Sequence, residues 1–89
     1  MRSNALVIDP TDNVATVLEE LAPGAEVVAH DGSCHVVAGA TIPTGHKVAL
    51  SAIDTGEAIV KYGHVIGVAS RPIAAGEHVH THNLTGQEL

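Results

Sequence analysis

Along the chain, apolar residues come in short runs separated by glycine, proline and acidic turns. Ala5-Leu6-Val7-Ile8 reads as a buried strand closed by Asp9-Pro10. Thr11 and Asp12 are then N-cap candidates for one short helix, because Val14, Val17, Leu18 and Leu21 fall at helical spacing and Pro23-Gly24 stops it. Glu19-Glu20 at its end opposes the helix dipole, so tertiary contacts are expected to hold it. From Glu26 onward the runs are β-rich: Glu26–His30, Cys34–Ala38, Lys47–Ser51, Ala58–Lys61, Val65–Ala69 and His78–His82. Asp31-Gly32 suits a tight hairpin turn between the first two.

An internal echo runs through these segments. Ile42-Pro-Thr-Gly45, Ile53-Asp-Thr-Gly56 and Ile73-Ala-Ala-Gly76 each join an apolar anchor, two turn residues and a glycine to a following strand. Leu21-Ala-Pro-Gly24 is a weaker fourth copy. Glycine at the fourth place supplies a backbone conformation costly for other residues, and the next strand leaves at an angle. The irregular spacing excludes a solenoid. The expected fold is mainly β, a small barrel or clip-like sandwich with one short N-terminal helix.

Composition narrows this further. Eighty-nine residues make a single domain, 1–89, and with no Phe or Trp and one Tyr its core must be built from Val, Ile, Leu and Ala. Such a thin core gains from a partner surface, whether a larger chain or a second copy. No run reaches the length of a membrane helix and the N-terminus lacks the apolar stretch of a secretion signal, so the expected compartment is the cytoplasm. Cys34 has no cysteine to pair with inside the chain. The net charge is −6, with six carboxylates and one Arg in residues 1–31 and six of the seven His in residues 32–89. Nucleic acid is excluded as a partner, since neither clustered cations nor stacking aromatics are present.

The strongest chemical signal is His78-Val79-His80-Thr81-His82-Asn83. In an extended strand His78, His80 and His82 share a face, about 7 Å apart, and neutral imidazole is a common metal ligand. Three nitrogen ligands with an open position are typical of a catalytic site, and with no Asp or Cys following, a metal here would be shared with another chain. The competing reading is a polar strand facing solvent. Gly45-His46-Lys47 sets an imidazole and an ammonium at a turn rim, suited to carboxylate recognition. Lys61-Tyr62-Gly63-His64 repeats that combination. Lys61 reads as an anchor for an anion or as a surface lysine, and Arg71 as a carboxylate partner or a surface ion pair. Cys34 and His35 point to opposite strand faces and do not form a nucleophile pair.

The order Ile42-Pro-x-Gly45-His46-Lys47, Ile53-x-x-Gly56-Glu57, Lys61-Tyr62-Gly63-x-x-Ile66-Gly67 and Ile73-x-x-Gly76-Glu77-His78-x-His80-x-His82-Asn83-Leu84 resembles the SAF-like N-terminal domain of the altronate and galactarate dehydratases. It is also similar to the small subunit of sulfolactate sulfo-lyase, and Asp12-Asn13-Val14-Ala15 resembles the family's opening. The resemblance implies a β-clip fold beside a larger catalytic subunit that removes water or sulfite from an anionic sugar acid or related hydroxy acid, commonly with Fe2+. Carried over by residue, it implies catalytic roles for His46, Lys47, Lys61 and Tyr62, substrate contacts from Lys61, Arg71 and Asn83, and metal ligation by His78, His80 and His82. The chain alone is expected to be inactive. The alternative is a non-catalytic module of the same fold that binds carbohydrate acids or partner proteins. Ice binding, which needs a regular threonine array, does not fit the irregular threonine spacing.

Overall fold

The computed structural model describes residues 3–29 and 36–86. Nine short strands follow one another: β1 Ala5–Leu6, β2 Val14–Val17, β3 Glu26–Val27, β4 Val36–Val37, β5 Lys47–Ala49, β6 Ala58–Lys61, β7 His64–Ala69, β8 His78–Val79 and β9 Leu84–Thr85. They form a central sheet in the order β1-β2-β5-β8, a two-stranded β3-β4 ribbon and a three-stranded β6-β7-β9 sheet, all antiparallel.

Two expectations are corrected here. No helix is present among the described residues, and the stretch assigned to it holds β2. Val14, Thr16 and Val17 are β-branched and stiff at χ1, which suits a pleated strand between two neighbours better than a helix. Asp12 caps no helix: its carboxylate accepts from the backbone N–H groups of Ile8, Asp9 and Gly63, and so ties the β1–β2 loop to a distant hairpin. The sheets also remain separate and close no barrel. The expected turn at Asp31-Gly32, and Cys34 with His35, lie outside the described residues.

The four-copy turn is real and organises the fold. Gly24, Gly45, Gly56 and Gly76 all have φ between 82° and 88°, the left-handed value required at the third position of a type II turn. In each, the residue after the glycine donates its N–H to the carbonyl three residues back, as from His46 to Pro43 and from Glu77 to Ala74. The apolar anchors pair two by two: Leu21 bridges Ile42 and Ile53 bridges Ile73, each through two reciprocal backbone hydrogen bonds of 2.8–2.9 Å. All four anchors are buried.

The pairing divides the chain into two halves that share β5. In the first, Gly24 and Ala25 exchange hydrogen bonds with Ala38; in the second, Gly56 and Glu57 do so with Ala69. Val17 with Gly45 and His46 is matched by Ala49 with Gly76 and Glu77. Each half has its own core, on opposite faces of the central sheet. Ala15, Val17 and Val48 join one core around Leu21 and Ile42, whereas Val14, Ala49 and Val79 join the other around Ile53 and Ile73.

Candidate functional site

Strand alternation explains how the imidazoles meet. Lys47 lies opposite Val79 and Val48 opposite His78 in the β5–β8 ladder, so His46, one residue before Lys47, falls beside His80 and diagonal to His78. His46 Nδ1 is 2.9 Å from His78 Nε2, and the His46 and His80 rings stack with centroids 4.2 Å apart. One ligating nitrogen from each of His46, His78 and His80 lies within 4.8 Å of the others. His82 stands beside this set, its ring 5.3 Å from that of His78, but does not join it.

The expected strand His78–His82 is therefore shorter than the sequence pattern suggested. β8 ends at Val79 and residues 80–83 turn, because Asn83 folds back on them. Its side-chain oxygen accepts from His80 N–H, and its amide donates to the His78 carbonyl and the Glu77 carboxylate. Asn83 is fully buried, so its side chain fixes the turn that presents His80.

His46 enters the cluster through a departure from the repeat. After Gly56 and Gly76 the next residue is Glu, whose carboxylate closes its turn by accepting from Asp54 N–H or Ala74 N–H. After Gly45 that place is taken by His46, whose ring reaches across to β8 instead. A histidine where two other copies of the turn place a turn-closing glutamate is a signal that the sequence does carry.

The electrostatics favour neutral rings. Burial, and then the neighbouring His46, His82, His80 and Lys47, hold the His78 pKa below its ordinary value. Burial, His46, Lys47 and His82 do the same for His80. The 2.9 Å contact requires at least one of the two facing nitrogens to offer a lone pair, because two N–H groups cannot face each other there. His80 Nδ1 is buried with no hydrogen-bond partner among the described residues, a cost of roughly 1–3 kcal/mol for a polar atom left unmet.

This donor set suits a first-row metal. Imidazole nitrogens bound at about 2.1 Å to one ion lie roughly 3–3.4 Å apart, so His46 and His78 are already spaced for it and the set as a whole needs closure of roughly 1–2 Å.

The remaining candidates lie elsewhere. Lys47 is buried and engaged, and alternation directs it to the face opposite His46. Lys61 and Tyr62 sit at the tip of the β6–β7 hairpin, where Tyr62 Oη donates to Thr16 Oγ1 at 3.0 Å. Arg71 is exposed between β7 and the fourth turn. A cleft of about 450 Å³ along Val65–Val68, Thr85 and Gly86 contains none of the candidate residues.

Comparison with known proteins agrees with this architecture. Residues 3–87 match the family described as the altronate/galactarate dehydratase SAF domain. The chain is 42% identical to altronate dehydratase of Bacillus subtilis (strain 168) over 76 residues, 85% of this chain but 15% of that protein. The corresponding protein of Escherichia coli (strain K12) is 45% identical over the same length and coverage. The alpha subunit of (2R)-sulfolactate sulfo-lyase from Paracoccus pantotrophus is 47% identical over 58 residues, 64% of this chain and 87% of that subunit. The chain thus spans about 15% of the altronate dehydratases it matches, but a stretch of it covers most of the sulfo-lyase subunit.

Proposed function

Since the chain belongs to the altronate/galactarate dehydratase SAF-domain family, we propose that it works as the small partner in a sugar-acid lyase of the hydro-lyase type. In this reading it contributes one wall of the active site beside a larger catalytic subunit. The supporting observation is the set His46, His78 and His80: one imidazole from β8 and two from the residues flanking β5 and β8, with one ligating nitrogen of each within 4.8 Å of the others.

β-Elimination from a hydroxy acid needs a base at the carbon beside the carboxylate, an acid for the leaving hydroxyl and positive charge for the developing enolate. His46, His78 and His80 would hold a metal such as Fe2+, which when bound supplies that positive charge and polarises the substrate's oxygens. His82, beside His78 and outside the ligand set, is available to exchange a proton with the leaving hydroxyl. Asn83 keeps the 80–83 turn rigid, so that His80 holds its position as the partner subunit closes over it. Among the described residues no carboxylate belongs to the cluster; in this reading the base at the carbon beside the carboxylate comes from the larger subunit, and the isolated chain is inactive.

The test is coproduction of the chain with a large dehydratase subunit and assay against hexarates, aldonates and sulfolactate. Turnover should require both chains, and His80→Ala should lower it at least tenfold, about 1.4 kcal/mol, without loss of assembly. Dehydration by the purified chain alone, or unchanged turnover in the variant complex, would contradict this reading. In the latter case the chain is a binding module without chemistry.

A further inference from the structure

His80 lies outside the strand ladder. β8 stops at Val79, so no cross-strand register fixes the next residue, and its place depends on what holds the 80–83 turn. Asn83 does so through its side-chain amide, whose oxygen accepts from His80 N–H at 2.9 Å. An amide has two unlike ends, and this hold works only while the oxygen faces His80. Turned over, the amide would set N–H against N–H there. It would also set its oxygen against the two acceptors on its other side, the His78 carbonyl at 2.9 Å and the Glu77 carboxylate at 3.2 Å. Of these two, Glu77 carries full charge, and charge-assisted hydrogen bonds are roughly twice as strong as neutral ones.

Glu77 is itself firmly anchored. Its backbone N–H closes the fourth turn onto the Ala74 carbonyl, its Oε1 accepts from Ala74 N–H, and its own carbonyl accepts from Ala49 N–H in β5. His46 immediately precedes that strand, so Glu77 ties the turn bearing His80 to the strand that sets the place of His46. A second copy of the turn isolates this extra role. Glu57 follows Gly56 as Glu77 follows Gly76, and it closes its turn in the same way, by accepting from Asp54 N–H. Glu57 is exposed and takes no second partner among the described residues, whereas Glu77 is half-buried and takes Asn83 as well.

We propose that Glu77 is a positioning residue of the imidazole set: its Oε2 fixes the Asn83 amide, and through it the backbone of His80, in the orientation that lets His80 join His46 and His78 around one ion. This role rests on the reading of those imidazoles as ligands, and Glu77 is not itself a member of the set. A glutamine at position 77 has one oxygen for two donors that are met by separate oxygens in the parent, so it closes the turn or grips Asn83, not both. At position 57 one oxygen serves the single contact, and the same change loses nothing.

Two readouts on the 89-residue chain test this: amide hydrogen exchange of the metal-free protein, followed by NMR, and titration with Co2+. In Glu77→Gln, His80 N–H should exchange at least tenfold faster while the rest of the central sheet keeps its rates, and Co2+ should bind at least fivefold more weakly. Glu57→Gln should change neither. Glu77→Asp keeps the charge but is one methylene too short to reach both donors, so it should behave as Glu77→Gln does, and it decides the matter should Glu77→Gln lose the fold. An unchanged His80 exchange rate, an equal effect from Glu57→Gln, or faster exchange with Co2+ affinity intact would overturn the role. So would parental behaviour of Glu77→Asp, which would reduce Glu77 to a charge near the ion. Absence of Co2+ binding by the folded parent would instead overturn the ligand reading itself, and the positioning role with it, whatever the exchange rates.

Discussion

Asn4 fastens β1 to β3 by donating to the Glu26 carbonyl and accepting from Val28 N–H, and Asn13 fastens β2 to β6 in the same way through Ala58 and Val60. The two halves of the domain therefore share their clamps, their turns and their bridged anchors, yet they differ in what they present. At corresponding ladder positions one has Thr16 beside Lys47 and the other has Val48 beside His78. The repeat supplies a frame whose backbone is satisfied twice by the same contacts. Side chains that take no part in those contacts are left to diverge toward chemistry.

The frame is not equally tolerant in both halves. Gly45 and Gly76 occupy corresponding turns, but a Cβ at Gly45 would meet nothing within 4 Å, whereas one at Gly76 would overlap the Val37 carbonyl oxygen. Gly76→Val should therefore cost at least ~3 kcal/mol, from a forced positive φ together with a steric clash, and Gly45→Ala only about 1–2 kcal/mol. Chemical denaturation of the two variants measures the difference, and equal costs would mean that the halves pack alike. Asn83→Ala comes next, at about 2–3 kcal/mol, because it strips partners from His80 N–H, the His78 carbonyl and Glu77 at once in a fully buried place. It should also weaken metal binding, which a substitution at Asn13 should not.

Acid should act on the imidazole half. His78 and His80 have pKa values held below 6.5 in the folded chain, so below that pH the unfolded chain binds more protons. Their contribution is complete above pH 6.5, is lost as pH falls from there toward the folded values, and changes no further below them. Melting temperatures between pH 7.5 and 5 should fall, and His80→Gln should make the fall shallower. Protonation also competes with metal, so metal affinity should decline over the same range. The smallest effect is expected at the β6–β7 hairpin. Tyr62→Gly relieves the strain of a tyrosine held at a φ of 56° and loses one hydroxyl contact, two terms of about 1 kcal/mol that nearly cancel, so its melting temperature should stay close to that of the parent chain.

Much of the frame was legible because glycine at positive φ leaves a mark in sequence. Gly24, Gly45, Gly56 and Gly76 revealed the repeated turn, including its weakest copy, and the bounds of β6 could be read directly. What was misread depends on distant partners. Val14, Val17, Leu18 and Leu21 do fall at helical spacing, yet Val14 and Val17 pack on opposite faces of a sheet and Leu18 is half exposed. The approach of His46 to His80 follows from the β5–β8 register, which links segments more than thirty residues apart in sequence. The last strand was carried to His82 because alternation was extended past Val79, where Asn83 ends it.

The central claim is that the imidazole set is His46, His78 and His80, and isothermal titration of the chelator-treated chain with Co2+ tests it most directly. One ion per chain should bind, His46→Ala and His80→Ala should each weaken that binding at least tenfold, and His82→Ala should leave it within about twofold of the parent. Binding that survives His46→Ala but is lost in His82→Ala, or no binding by the folded parent chain, would contradict the account.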